Sequence, residues 1–371
     1  MLETVAGRVL GGRYKIEEHL ADGGMGSIWT ARHLTLGISV AVKLMTVEGA
    51  MRADLRARFE QEAKAVALLR HPHIVQVLDY GTDDDTPYIV MELLEGVDLL
   101  ATREHALTWP LSEVATLVSQ VARGLGAAHR AGLIHRDVKP ANIFLARAHG
   151  EGAHGADAAQ RDIVAKVIDF GIAKWAENKD ILTAASVVLG SPSYMSPEQI
   201  RGHRLDDRVD AWALAVVAFT LVTGDMPFVG KSGPDIAKQI VLANRRAIPP
   251  TAQNAAGLER FFARAFARDP AARFGSIEEM AGEFILVAGA PSALHIALRS
   301  VEHAAAGGRR EGEADETQTQ KLSALREDST TNRLVRSGQM AIDHPEDLEV
   351  TEMDDRLNPS GGAAGRNRSS E

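Results

Sequence analysis

Within eight residues, His135-Arg136-Asp137-Val138-Lys139-Pro140-Ala141-Asn142, the chain sets proton acceptors, cations and an amide oxygen just ahead of the apolar run Ile143 to Leu145. Asp169-Phe170-Gly171 follows farther along. Such a run is either reactive or a polar loop of an unrelated fold. There is no cysteine, which excludes thiolate nucleophiles, disulfides and Cys-based zinc, so any chemistry rests on carboxylates, Lys, Asn, Ser/Thr or His. Upstream, Leu20-Ala21-Asp22-Gly23-Gly24-Met25-Gly26-Ser27-Ile28-Trp29 is a glycine-rich stretch. Glycines at a strand-turn-strand let backbone N–H groups approach phosphates, although the same stretch also suits a plain hairpin turn. Lys43 sits on the apolar strand Val40-Ala41-Val42-Lys43, where a lone Lys is usually a solvated edge charge. Glu62 is its counterpart, a carboxylate on an apolar helix face that is costly to bury without a cation. Pairing the two accounts for both anomalies.

These residues need elements to hold them. From Arg13 to Leu99 the chain reads as strands, with β-branched runs at Ile38 to Leu44, Ile74 to Leu78 and Tyr88 to Leu93. One helix interrupts them over Asp54 to Leu69, with Leu55, Phe59, Val66 and Leu69 on its buried face. Beyond Leu111 helices take over: Ser112 to His129, Asp210 to Thr223, Pro234 to Ala243, Leu258 to Ala267 and Ser276 to Val287. The Asp210 helix is apolar nearly all round, which marks it as central to a helical lobe. After Ala288 the chain fills with Gly, Ala, Glu, Arg, Ser and Thr, and a disordered tail is expected.

At 371 residues and 45% apolar, the chain is long enough for two packed lobes and an appendage. The formal charge of −9 argues against nucleic acid as a partner. Met1 to Leu10 does not read as a secretory signal, and the longest apolar stretch, Ala211 to Val222, falls short of the ~20 residues a bilayer demands. A cytoplasmic protein without direct membrane insertion is expected.

From about Tyr14 to Val287 the motifs resemble the protein kinase superfamily, and the Gly-Gly-Met-Gly wording is typical of its bacterial eukaryotic-like serine/threonine kinases. The resemblance implies an α+β, bilobal protein kinase fold. Its parts would be an N-terminal extension (1–13), a kinase domain (14–287, with a small β-rich lobe 14–94 carrying one regulatory helix and a larger helical lobe 95–287) and a tail (288–371). It implies ATP and Mg²⁺ as cofactors, with Mn²⁺ a substitute. Asp137 would accept the proton of the substrate hydroxyl, and Asn142, five positions on, would hold the metal together with Asp169. Two oxygen ligands from separate loops suit Mg²⁺, which keeps waters and borrows phosphate oxygens. Lys43 would contact the α- and β-phosphates, and its pairing with Glu62 would close when the helix swings in. Leu20, Gly23, Gly24 and Gly26 would cover the nucleotide, with Ala21 standing where the family's first glycine usually is. Met91 to Gly96 resembles the hinge between lobes: Glu92 and Leu94 backbone groups would read the adenine edge, with Ile28, Ala41 and Phe144 against its faces. Those residues alone equally suit a buried strand with a turn.

Gly190 to Glu198 resembles the end of an activation segment, the platform for a peptide, and Arg273 is the partner the family gives Glu198. Small-molecule phosphotransferases of related fold lack this platform, so protein substrates are expected. Lys139 resembles the serine/threonine subgroup, in which that Lys steadies the γ-phosphate, so Ser/Thr acceptors are expected, and Ser191 stands where in the family a hydroxyl commonly bonds Asp137 and Lys139. Arg136 implies control by an activation-loop phosphate, with Thr183 and Ser186 as acceptors. The rival class is a pseudokinase scaffold; Lys43, Glu62, Asp137, Asn142 and Asp169 all being present argues against it. Ala146 to Asp162 is a polar insertion longer than the family norm, and His149 and His154 within it read as hairpin-tip residues rather than metal ligands. Thr317, Thr319, Thr330 and Thr331 of the tail are candidate phosphorylated sites for a docking partner.

Overall fold

Alternation along one strand sets the plan of the amino-terminal half. In β4 (Ser39–Met45), Val40, Val42 and Leu44 point to one face and Ala41, Lys43 and Met45 to the other. The first set joins Leu10, Tyr14, Ile16, Trp29, Tyr88 and Val90 in an outer core, and Ala41 and Met45 join the main core. A strand buried on both faces therefore carries one lysine, Lys43, inward. The computed structural model describes residues 5–23, 26–45, 60, 63–104, 106–148, 163–170, 192–289 and 291–294. All of them belong to one unit, Met1–Asn332.

The sheet is antiparallel and six-stranded, in the order β1 (Val9–Leu10), β2 (Tyr14–Gly23), β3 (Gly26–His33), β4, β6 (Thr86–Glu92), β5 (Val77–Asp83). Its first strand precedes Tyr14, so residues expected as an extension contribute an edge. Leu10 is fully buried, and Arg8 fastens this edge to the β5–β6 turn by donating from Nη2 to Asp83 Oδ2 at 2.6 Å. The run from Ile74 to Leu78 also departs from expectation, since β5 begins only at Val77. Ile74 forms a parallel bridge to Val167, and the Val75 N–H donates to the Val167 carbonyl at 3.0 Å. The segment is thus spent on joining the large sheet to a small one.

That small antiparallel sheet, β7 (Gly96–Asp98), β8 (Ile143–Arg147) and β9 (Ile163–Val167), carries the residues after Asn142 and before Asp169. Behind it lie the helices α1 (Leu111–Arg130), α2 (Pro197–Ile200), α3 (Arg208–Thr223), α4 (Gly233–Leu242), α5 (Ala255–Ala265) and α6 (Ile277–Ala288). Val209 to Leu221 of α3 are all buried, as its all-round apolar sequence requires. Trp212 stacks on Phe228 at 5.5 Å, and Phe219 meets Phe262 edge-on at 5.1 Å. Each such fully buried ring contributes about 1.5–3 kcal/mol over its exposed state. The packed chain continues past Val287: Thr116 Oγ1 donates to the Ser292 carbonyl at 2.5 Å, and Leu294 is buried. Of the expected 54–69 helix, residues 60 and 63–69 are described, 60 and 63–67 of them helical; the tail from residue 295 lies outside the described residues.

Candidate active site

The predicted reactive residues converge because a buried carboxylate pins the loop that bears them. Asp210, at the start of α3, is fully buried. Its Oδ2 accepts from the His135 N–H at 2.8 Å and from His129 Nε2 at 2.7 Å, and its Oδ1 accepts from the Arg136 N–H at 2.8 Å. Two consecutive amides aimed at one carboxylate force a sharp backbone turn, and Arg136 takes a φ of 66°. That left-handed conformation costs a side-chain-bearing residue about 1–2 kcal/mol, which the Asp210 bonds offset. Asp137 follows directly on that turn.

The loop is cross-braced from within. The Asp137 N–H donates to His135 Nδ1 at 3.2 Å, so Nε2 is the protonated ring nitrogen and donates to the Ile168 carbonyl at 3.0 Å. Asn142 Nδ2 donates to the Asp137 carbonyl at 2.7 Å and to Asp137 Oδ2 at 2.9 Å. Lys139 Nζ lies 3.2 Å from the same Oδ2. The amide nitrogen of Asn142 is thus committed to the loop, and its oxygen is the atom suited to a cation. Asp169 also has a left-handed φ, 54°, and Oδ1 accepts from Lys43 Nζ at 2.8 Å. Phe170, buried beside it, lies 4.7 Å from the His135 ring. Lys43, Ala63, Val66, Val75, Val77, Ile89, Met91, Asp169 and Phe170 line one small hollow.

The donor set answers what it could hold. A carboxylate at Asp169 and an amide oxygen at Asn142, each at the end of a strand of the small sheet, are hard ligands that suit Mg²⁺ with borrowed phosphate oxygens. Among the described residues no three His, Cys, Asp or Glu groups gather to hold a metal by themselves.

In the large sheet, β2 and β3 pair through Gly23↔Gly26 and Ala21↔Ile28. A Cβ on Gly26 would run into the Leu44 carbonyl oxygen of β4, so this glycine is demanded by strand packing as well as by any phosphate. Ala21 is exposed, as is Leu20, whereas Ile28 is partly buried. Ala41 pairs with Met91 of β6, Leu94 follows that strand, and Phe144 lies on β8. Glu92 has a partner that sequence reasoning missed. Its Oε1 accepts from Lys166 Nζ at 2.7 Å and from the Gln76 N–H at 2.8 Å, tying the end of β6 to β9 and to the segment before β5.

On the far side of the loop, Arg273 Nη1 and Nη2 donate to Glu198 Oε1 and Oε2 at 2.8 and 2.9 Å, and the guanidinium lies 4.6 Å from the Trp212 ring. Burial alone would raise the Glu198 pKa, but Arg273 overrides it and holds the carboxyl below its ordinary value. Burial pushes the Arg136 guanidinium below its ordinary range, against the pull of Asp210. Glu62, Gly24, Gly171, Thr183, Ser186, Ser191, His149, His154 and the tail threonines lie outside the described residues.

Sequence reasoning placed Asp210 only as the start of a helix. Its signal was a carboxylate heading an otherwise apolar segment, which needs buried donors. Gln199, which bonds the Arg136 carbonyl, was also missed, and Ser196-x-x-Gln199 is the pattern of a helix capping box.

Residues 14–285 match the family model for the protein kinase domain. The chain is 37% identical over 270 residues to the serine/threonine-protein kinase Pkn1 of Myxococcus xanthus, covering 72% of this chain and 37% of that protein. It is 39% identical over 296 residues to pkn3 of the same organism, covering 76% and 51%. The chain thus spans between about a third and a half of the length of these curated relatives. Among solved structures, the PknI kinase domain of Mycobacterium tuberculosis aligns with a TM-score of 0.59 at 30% identity, covering 76% of this chain and 98% of that one.

Proposed function

The chain belongs to the protein kinase domain family, and from that premise we propose that it is an ATP-dependent serine/threonine protein kinase of bacterial intracellular signalling. The supporting observation is that Lys43 of β4 bonds Asp169 after β9, while Asp137, Lys139 and Asn142 of one loop bond one another at the start of β8. The family uses ATP and a divalent metal ion, and Mg²⁺ is the metal this donor set suits, with Mn²⁺ a substitute. Held by Asn142 and Asp169, the metal would supply charge neutralisation to the triphosphate.

The protein's own residues do the rest. Asp137 Oδ accepts the proton of the acceptor hydroxyl as that oxygen bonds to the γ-phosphorus; the bond to the β–γ bridging oxygen breaks and ADP leaves. Asn142 and Lys139 hold Oδ2 of Asp137 in place, and Lys139 Nζ neutralises charge developing on the transferred group. Lys43 exchanges its hold on Asp169 for the α- and β-phosphates when nucleotide enters, with Glu62 behind it. Leu20, Gly23, Gly24 and Gly26 cover the phosphates. Glu92 and Leu94 backbone groups meet the adenine edge, with Met91 behind them and Ile28, Ala41 and Phe144 on the ring faces. Glu198 and Arg273 support the protein-substrate platform, to which Ser191 adds its hydroxyl.

Control through autophosphorylation of Thr183 and Ser186, read by Arg136, completes the reading, together with a cytoplasmic location and a phospho-dependent partner for the tail. No helix among the described residues is long and apolar enough to cross a membrane. The test is phosphoamino-acid analysis after reaction with γ-labelled ATP, Mg²⁺ and a generic protein substrate. Label on Ser and Thr is expected; label on Tyr alone, or on no protein, overturns the proposal. Phosphopeptide maps of active enzyme with Thr183 and Ser186 empty would remove the autophosphorylation step.

A further inference from the structure

One side chain spans the gap between the substrate platform and the catalytic loop. Gln199 is the third residue of α2, directly after Glu198 of the platform. Its Oε1 accepts from the Ser196 N–H at 2.9 Å while the Ser196 hydroxyl accepts from the Gln199 N–H at 3.4 Å, closing a capping box. With the oxygen so committed, the amide nitrogen faces the other way and donates to the Arg136 carbonyl at 2.9 Å. Both partners fix the amide orientation: one is a donor and the other an acceptor.

The carbonyl that Gln199 grips belongs to the strained residue of the loop. Arg136, at φ 66°, is tied by its N–H to Asp210, and its carbonyl is half of the peptide unit that leads into Asp137. Asp210 and Gln199 therefore hold Arg136 at its N–H and at its carbonyl. A capping box needs only an acceptor at its third helical position, which Glu supplies as well as Gln. The second bond needs a donor, which Glu lacks at neutral pH.

Resting on the kinase reading above, we infer that Gln199 is a positioning residue that couples the peptide platform to the catalytic loop by fixing the Arg136–Asp137 peptide unit. Docking of a protein on the platform and alignment of Asp137 then share one rigid connection. Disturbing it alters acceptor chemistry and leaves the nucleotide half of the site, on the opposite side of Asp137, as it was.

The test separates the cap from the connection with two full-chain variants. Gln199→Glu keeps the acceptor for the Ser196 N–H and removes the donor to Arg136. Ser196→Ala removes the hydroxyl half of the cap and keeps the Gln199–Arg136 bond. Steady-state kinetics with a protein substrate and with ATP are measured beside thermal melting. For Gln199→Glu the expected result is a melting temperature within about 2 °C of wild type, kcat reduced about tenfold, the effect of one lost hydrogen bond at the transition state, and an ATP KM within about twofold. For Ser196→Ala the expected result is a lower melting temperature with kcat per folded molecule within about twofold. A Gln199→Glu enzyme with wild-type kcat overturns the inference, and so does one whose only change is a lower melting temperature. A wild-type enzyme that phosphorylates nothing overturns the kinase reading and this inference with it.

Discussion

Replacing Asp210 by Asn removes one acceptor oxygen from a site where three donors converge. In the wild type the two carboxylate oxygens serve the His135 and Arg136 amides and the His129 ring nitrogen. An Asn side chain keeps the most bonds by turning its oxygen toward His135 and His129, which leaves its NH₂ facing the Arg136 N–H. The cost is one hydrogen bond to a charged group, ~1.5–3 kcal/mol, plus buried donors without an acceptor at ~1–3 kcal/mol. Together these come to about 2.5–6 kcal/mol. At ~2–4 °C per kcal/mol for a domain of this size, the melting temperature is expected to fall by roughly 10 °C. Catalysis is expected to suffer beyond the stability loss, because Arg136 is then free to leave its left-handed conformation and carry Asp137 with it. Thermal unfolding followed by circular dichroism, and kcat measured well below the variant's melting temperature, read the two effects separately. A variant that melts within 2 °C of wild type and retains kcat within twofold refutes the role assigned to Asp210.

Arg273→Met leaves Glu198 buried without its cation, and denaturant unfolding is expected to show a loss of about 3–5 kcal/mol near neutral pH. Since Arg273 holds the Glu198 pKa down, wild type loses that stabilisation as pH falls through the folded pKa, so the gap to the variant narrows in acid. His73 is buried with Nδ1 bonded to the Ala165 carbonyl, and burial lowers its pKa from 6.5 to about 4. The unfolded chain therefore takes up a proton before the folded one does. Stability is expected to decline between pH 6.5 and about 4, by at most about 3 kcal/mol from this group, and a His73→Gln variant measured over the same range should lack that part of the decline. Gly26→Ala drives a methyl into the Leu44 carbonyl and is expected to abolish the thermal shift produced by nucleotide, whereas Ala21→Gly, at an exposed position, should leave the melting temperature within about 2 °C.

What the sequence made legible depended on whether a residue's neighbours in space were also its neighbours in pattern. The α3 helix could be read directly because its partners lie all round it, so every position had to be apolar. Lys43 could be read because period-2 alternation placed it among inward apolar residues. The segment from Ile74 to Leu78 misled, since β-branched residues serve a parallel bridge to Val167 as well as a strand, and only the fold decides between them. Leu10 and Leu294 lay beyond the expected domain limits for a related reason: each sits in a short apolar stretch interrupted by Gly, Arg, Ser or His, with no period long enough to mark a boundary. In the site, the reactive run from His135 to Asn142 was contiguous and therefore visible. Its supports were not, because Asp210 and Gln199 act on backbone or side-chain atoms 63 to 81 residues away and Lys166 acts on Glu92, 74 residues away. A long-range hydrogen bond leaves no periodicity.

The most direct measurement is transfer of label from γ-³²P-ATP to a protein substrate in the presence of Mg²⁺, comparing wild type with Asp137→Asn and Lys43→Met, each checked by thermal melting to be folded. Wild type is expected to label Ser and Thr, and Asp137→Asn and Lys43→Met are expected to fall by at least a hundredfold, since removal of a positioned base or of a transition-state electrostatic contact costs ~10²–10⁴ in rate. Equal labelling by all three proteins would contradict the assignment of the cleft as the site of phosphoryl transfer.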